Sequence, residues 1–203
     1  MIIRKLFAAS VLSAVTVVAS AGQIGLGGFS GGETVTTFDG LGLSNDTFTP
    51  GPLTFDGNSY TTDDGFFRYS DPNSFLADCN GEFIGNSTDL GFIDVVLGTT
   101  FQRVGARVGG IGTSFTGTVD FFDAADMVLA SINFASGPGM VFVGYEALGG
   151  IARVRFNDTA SNDAILHLDD FRFEDVRGVP APAPLALVAL GVLGLGARRL
   201  RRA

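Results

Sequence analysis

Residues 119–134 read Val-Asp-Phe-Phe-Asp-Ala-Ala-Asp-Met-Val-Leu-Ala-Ser-Ile-Asn-Phe. Apolar residues recur on both sides of the short polar segment Asp123–Asp126. Aspartate is a favoured turn residue, because its side chain can accept hydrogen bonds from nearby backbone N–H groups. The stretch therefore predicts a strand, a turn and a second strand, and it indicates a β-rich fold.

The same period of two recurs along the chain. Val104, Ala106 and Val108 share one face of a predicted strand, and Ala152, Val154 and Phe156 share a face of another. Arginines occupy the alternate positions, Arg103 and Arg107 in the first strand and Arg153 and Arg155 in the second. Further strands are predicted at Thr34–Phe38, Leu53–Phe55, Gly65–Tyr69, Phe92–Leu97, Met140–Tyr145 and Ile165–Phe173. No segment has a convincing helical period, so residues 34–178 are predicted to form one all-β domain, a two-sheet, jelly-roll-like β-sandwich.

The last predicted strand contains a change of phase. Leu166 and Leu168 occupy even positions, whereas Phe171 and Phe173 occupy odd ones. Side chains of a regular strand cannot change face in this way. Either a β-bulge at Asp169-Asp170 restores the phase, or both faces of the strand are partly covered.

The same acidic pair is a candidate calcium site. A bulge re-aims side chains, and the first and last strands of a jelly-roll often lie close together. Asp39 would then lie near Asp169 or Asp170, and carboxylates are calcium ligands. The alternative is that the 17 aspartates of the chain serve turns and solubility. Calcium is the one cofactor that the sequence suggests.

The charge of the chain is unevenly distributed. Residues 22–178 carry all 21 acids and only seven basic residues, all of them arginine, which gives this segment a net charge of −14. A surface of this kind repels nucleic acid, so nucleic-acid binding is excluded.

The N-terminus has the three parts of a secretory signal peptide. Arg4 and Lys5 precede the apolar core Leu6–Val18, and Ala19-Ser20-Ala21 forms a small-x-small cleavage site. We expect a signal peptide at residues 1–21, recognised by Sec-type export machinery and cleaved after Ala21. The alternative, an N-terminal membrane helix, requires a longer apolar core. Residues 22–33 are predicted to form a glycine-rich leader, of which the run Gly25–Gly32 is expected to be flexible.

The C-terminus, residues 179–203, has a second three-part pattern. A Pro motif, Val179-Pro180-Ala181-Pro182-Ala183-Pro184, precedes the uncharged run Leu185–Ala197. Arginines follow at positions 198, 199, 201 and 202. We predict a single membrane helix over 185–197, with the arginines as a basic stop on the cytoplasmic side. The alternative is an apolar helix packed on a soluble domain.

This tail resembles the PEP-CTERM class of bacterial sorting signals, in its Val-Pro-x-Pro-Ala variant. The matching residues are Val179, Pro180, Pro182 and Ala183, the apolar run, and Arg198, Arg199, Arg201 and Arg202. The resemblance implies transient anchoring in the inner membrane, cleavage by an exosortase, and delivery to the cell surface or extracellular matrix. Ala181 stands where the commonest pattern has glutamate. The domain is also similar to the jelly-roll of exported PEP-CTERM proteins and carbohydrate-binding modules.

The sequence favours a non-catalytic protein. No nucleophile motif is present, and the single histidine, His167, lies inside a strand pattern. An alternative to a purely structural surface protein is a lectin-like module that adheres to exopolysaccharide. Phe66, Phe67 and Tyr69 are its candidate ligand surface. A secreted hydrolase is a remote third alternative.

Three Asn-x-Thr stretches begin at Asn45, Asn86 and Asn157. They match an N-glycosylation pattern. In a bacterial protein, which the tail implies, we interpret them as turns in which the asparagine side chain bonds to the following backbone.

Overall fold

The computed structural model describes residues 21–39, 48–70, 82–87, 90–110, 114–137, 139–159 and 165–176. These residues form twelve strands and one short 3-10 turn, Leu26–Gly28, and contain no α-helix. The strands are β1 Gly22–Ile24, β2 Thr34–Thr36, β3 Phe48–Pro50, β4 Leu53–Phe55, β5 Asn58–Thr62, β6 Phe66–Ser70, β7 Phe83–Asn86, β8 Phe92–Gly110, β9 Phe115–Phe122, β10 Val128–Ser136, β11 Val141–Asp158 and β12 Leu166–Glu174. The fold of the described residues is therefore all-β, as the sequence predicts.

Both predicted end signals fall outside this description. The signal peptide up to Ser20 and the tail from Val179 onward are not among the described residues. Within the described ranges, no helix has the length and apolar character needed to cross a membrane. The signal peptide, the membrane helix and the sorting motif stay predictions.

Two long strands organise the sheet. β8 and β11 pair with each other twice, through residues 92–96 with 153–157 and through residues 103–108 with 141–146. The register is irregular between these two regions. The first region carries β9 and β10 on one side and β5 and β4 on the other, and we call these strands group one. The second region carries β1 on one side and β12, β2, β7, β6 and β3 on the other, and we call these strands group two.

The two groups contact each other through aromatic side chains. The rings of Tyr60 in group one and Phe171 in group two are 5.8 Å apart, centroid to centroid. Phe121 in group one lies 5.3 Å from Tyr145 in group two. These residues belong to one hydrophobic cluster that includes the predicted inward face Val104, Ala106 and Val108. Burial of this shared cluster is the main source of stability, since each large aromatic removes much apolar surface from water.

The predicted strand, turn and strand over 119–134 is confirmed. β9 and β10 are antiparallel neighbours, with Val119 opposite Ile132. In the turn between them, the Asp123 carboxylate accepts hydrogen bonds from the backbone N–H groups of Ala125 and Met127, each 2.9 Å long. The aspartate therefore has the turn role that its position in the sequence suggests.

The predicted bulge in β12 is also confirmed. Asp169 lies opposite Arg107 and Arg172 opposite Gly105, so β12 has one residue more than β8 in this interval. Asp170 has a φ of 46°, in the left-handed region. Leu166, Leu168, Phe171 and Phe173 all reach the core because of this extra residue. The other face is covered as well, since His167 and Asp169 are fully buried. Both interpretations of the phase change thus hold.

The glycine-rich leader predicted at residues 22–33 is attached to the domain at several points. Gly22–Ile24 pairs with β11 through residues 144–146. The Ser30 backbone N–H and hydroxyl both donate to the Glu174 carboxylate, the former at 3.2 Å. The Glu33 carboxylate lies 2.8 Å from the Arg172 guanidinium. Backbone pairing and these polar anchors hold the leader, and neither is visible in its glycine-rich composition.

We expect Phe171→Ala to lower the free energy of unfolding by about 3–5 kcal/mol, as for other buried phenylalanines. The reason is that Phe171 packs against Tyr60, Phe156 and Phe173 at the contact between the groups. Urea denaturation measures the change. The matched control is Phe48→Ala, because Phe48 is 56% exposed and its loss should change stability by less than about 0.5 kcal/mol. Equal losses in both variants would contradict the packing described.

The anchoring of the leader should depend on pH. The pKa of Glu33 lies below its ordinary value of 4.5, because hydrogen bonds from its own backbone N–H and from Arg172 outweigh the effect of burial. Stability from a lowered pKa is complete above pH 4.5 and is lost as the pH falls through the folded-state pKa. Glu33→Gln should therefore be less stable than wild type at pH 7 by up to about 1 kcal/mol. The difference should shrink below pH 4.5 in thermal melts, and a difference independent of pH would contradict this role.

Candidate functional site

The acidic pair in the β12 bulge is engaged with arginines. The Asp170 carboxylate lies 3.3 Å from the Arg107 guanidinium and 3.5 Å from that of Arg172. The Asp169 carboxylate accepts a hydrogen bond of 2.7 Å from the Asp170 backbone N–H. These contacts hold the left-handed conformation at Asp170 in place. The bulge is therefore stabilised by charge pairing within the protein.

Asp39, the third candidate calcium ligand, caps a different segment. It is exposed, and its carboxylate accepts a hydrogen bond of 2.8 Å from the Glu82 backbone N–H. Among the residues that the structure describes, no three His, Cys, Asp or Glu side chains are grouped as metal ligands. Calcium binding by Asp39, Asp169 and Asp170 stays a prediction, without a ligand set in the described part of the chain.

The prediction of an aromatic ligand surface on β6 is wrong for Phe67. Phe67 has no exposed surface and belongs to the hydrophobic cluster between the two groups of strands. A buried ring cannot stack on a sugar. Phe66 and Tyr69 lie in the same strand, but their side chains are outside the described part of the structure.

His167 is part of a small buried cluster. Its ring packs edge-on against Phe83, with the centroids 4.8 Å apart, and has no exposed surface. A Cβ at Gly85 would lie 2.7 Å from the His167 ring, so only glycine fits opposite it. An imidazole buried in this way cannot reach a substrate, and its role is in packing.

The feature that the sequence analysis missed is a polar surface on the outer side of group one. Val119 and Phe121, Val154 and Phe156, and Ile93 and Val95 point into the core. The alternate residues of the same strands therefore point outward. We call this outward surface the polar face. Its members are Asp94, Thr118, Asp120, Ser131, Arg153, Arg155 and Asn157.

One part of the polar face is a chain of hydrogen bonds across three strands. Ser131 of β10 donates to Asp120 of β9 at 2.5 Å. The Asn157 amide of β11 donates to the other Asp120 oxygen at 2.8 Å and to the Thr118 hydroxyl at 3.1 Å. Each side chain is thus held by its neighbours before any ligand arrives.

The other part consists of two arginines that share a carboxylate. Arg153 and Arg155 each lie 3.2 Å from the buried Asp94 carboxylate. The guanidinium carbon of Arg153 lies 3.7 Å from the centre of the Phe122 ring. That of Arg155 lies 4.5 Å from the centre of the Phe92 ring in the same way. Stacking on a ring and pairing with a carboxylate fix both guanidinium planes.

The chemistry of the polar face suits a neutral ligand with many hydroxyl groups. Two arginines face three carboxylates here, those of Asp94, Asp120 and Asp126, the last of which lies 2.8 Å from Arg153. The face therefore carries about one net negative charge, in a domain of net charge −14. Amide, carboxylate and guanidinium groups offer both donors and acceptors. Val96 is 47% exposed and points outward on the same strand as Asp94, which adds an apolar edge.

Sequence reasoning missed this site because it interpreted Asn157 as a turn residue. Asn157 lies in β11 and pairs with Thr118. Asn86, interpreted in the same way, is a fully buried residue at the end of β7 and accepts the Leu166 backbone N–H at 2.8 Å. The alternation of Arg153, Arg155 and Asn157 was the signal that could have found the face. Asn45 lies outside the described residues.

Comparison with known proteins gives structural neighbours only. No protein-family model matches the chain, and no curated protein matches it. A DUF4465 family protein from Bacteroides caccae is 10% identical, with a TM-score of 0.47, and the match covers 70% of this chain and 99% of that one. A cleaved adhesin domain of Lys-gingipain is 12% identical, with a TM-score of 0.43. The match covers 70% of this chain and 98% of the adhesin domain.

A family 29 carbohydrate-binding module is a third neighbour. It is 11% identical, with a TM-score of 0.43, and the match covers 74% of this chain and 98% of the module. At these identities and TM-scores the similarities carry no argument about ligand or activity.

Proposed function

We propose that the chain is an exported, non-catalytic surface or matrix protein whose β-domain binds neutral polysaccharide through the polar face. The observation that carries the proposal is the Asp120–Asn157 ladder beside the two fixed arginines. Adjacent hydroxyl groups of a sugar both donate and accept hydrogen bonds. Planar amide, carboxylate and guanidinium groups, already oriented, can bind such pairs with little loss of side-chain entropy.

We infer that the two groups of strands are the layers of a jelly-roll-like sandwich. The aromatic contacts between Tyr60 and Phe171 and between Phe121 and Tyr145 support this arrangement. In such a sandwich the polar face is the outer surface of one layer. β10, β9, β11 and β8 lie side by side there. Neighbouring strands are about 4.8 Å apart, so the face spans about 14 Å across the strands and suits an extended chain.

Two properties favour neutral over charged glycans and binding over catalysis. The domain's net charge of −14 repels acidic polysaccharides. The arginines of the face are already paired with Asp94 and do not offer free positive charge. The buried position of His167 removes that side chain from any catalytic role.

We expect Asn157→Ala to weaken binding to a neutral polysaccharide about three- to tenfold, the equivalent of one net hydrogen bond. A glycan array identifies the ligand, and titration calorimetry measures the dissociation constant. The matched control is Gln102→Ala, because Gln102 also has an amide side chain but donates to the Leu148 carbonyl, away from the polar face.

Two results would contradict the proposal. If the protein bound no neutral glycan on the array, the alternative of a purely structural surface protein would be favoured. Equal losses in the Asn157 and Gln102 variants would place the ligand elsewhere on the domain.

We further propose that an exosortase processes the C-terminal tail. The support is the order of its three parts, from Val179 through the apolar run to the arginines at 198–202. Replacing Arg198, Arg199, Arg201 and Arg202 with alanine removes the charges that keep the C-terminal end of the tail on the cytoplasmic side of the membrane. We expect the unprocessed precursor to accumulate, as measured by immunoblot of membrane and extracellular fractions. Normal release of the mature form from this variant would contradict the proposal.

A further inference from the structure

The strand β10 forms a long open edge of the sheet. Among the described strands it lies at the end of the order and has β9 as its hydrogen-bonded neighbour. Its nine residues, Val-Leu-Ala-Ser-Ile-Asn-Phe-Ala-Ser, include no charged residue and no proline. The outer edge of such a strand presents backbone N–H and C=O groups that can pair with a further strand.

The other terminal strands in the described part of the sheet are poor templates for pairing. β1, β2, β3 and β4 are three residues long, and β3 ends in Pro50. Short strands and proline are common means of protecting an edge. β10 has neither form of protection, since it is nine residues long and contains no proline.

We propose that β10 pairs with β10 of a second copy of this chain, antiparallel and about a twofold axis at Ile132. The charge of the domain argues for this occupant. Two copies with a net charge of −14 repel each other over most of their surfaces. They can approach most closely where both surfaces are uncharged, and β10 is such a place.

The sequence of β10 is complementary to itself in this register. With Ile132 opposite Ile132 of the second copy, Ser131 faces Asn133, Leu129 faces Ala135, and Ala130 faces Phe134. Polar residues therefore meet polar residues, and apolar residues meet apolar ones. Ala130 and Ile132 pack against the core and are only partly buried, so a second copy would complete their burial.

The pairing has a consequence for the polar face. Residues opposite each other in an antiparallel pair point to the same side of the sheet. The two polar faces would therefore lie on one side of a continuous sheet. A dimer with two adjacent sites binds a repeating polymer with higher avidity than either site alone.

The experiment measures the mass of the chain, as recovered from the cells that make it, by sedimentation equilibrium in mild detergent. The wild type should be dimeric. The double variant Leu129→Glu/Ala135→Glu places glutamates opposite each other twice, and it should raise the dimer dissociation constant at least tenfold. Leu129→Lys/Ala135→Glu places lysine opposite glutamate, and it should restore the dimer. Both double variants change the same exposed positions, so their thermal melts control for effects on folding.

Three results would overturn the proposal. One is a monomeric wild type. Another is a Glu/Glu variant that stays dimeric, which would place the contact elsewhere, for instance in the tail. The third is a Lys/Glu variant that is folded but monomeric. None of these measurements involves a glycan, so they do not depend on the polysaccharide proposal.

Discussion

The fold depends on the change of phase in β12. Leu166 and Leu168 before the bulge, and Phe171 and Phe173 after it, must all enter one core. A regular strand would direct one pair to the opposite face, and Tyr60 would then lose its contact with Phe171. The left-handed residue Asp170 makes the change possible, and Arg107 and Arg172 hold its carboxylate. Packing and charge pairing therefore support each other at one point.

The five arginines whose side chains the structure describes have related roles. Each lies on β8, β11 or β12, and each forms an ion pair with a carboxylate. The carboxylates of Asp94, Asp170 and Glu174 are buried, so the loss of their arginine partners would leave uncompensated charges in the protein. The pairs also fix the positions of the side chains that form them. In group two, Arg103 joins Glu146 of β11 to Glu174 of β12. In group one, Asp94 fixes two guanidinium groups on the polar face.

The sequence predicted features that depend on local patterns and could not reveal those that depend on distant partners. The turn at Asp123 and the bulge in β12 follow from alternation and turn chemistry within a few residues. The order of strands around β8 and β11 has no local signal. The attachment of the leader has no local signal either, because its pairing with β11 uses backbone groups, which any sequence has. Asn157 was mispredicted because asparagine favours turns on average, while here its partners Thr118 and Asp120 lie 39 and 37 residues away.

The distribution of charge connects the proposed interactions. An acidic domain resists contact with anionic surfaces, and it also resists contact with its own copies. Any specific interaction must then use surface where that charge is absent or balanced. The described structure offers two such surfaces on group one, the polar face, where arginines and carboxylates nearly balance, and the uncharged edge of β10, and Ser131 lies on both. A glycan bound to the face and a second copy paired at the edge would therefore both contact β10. The position of either partner would then determine where the other can bind.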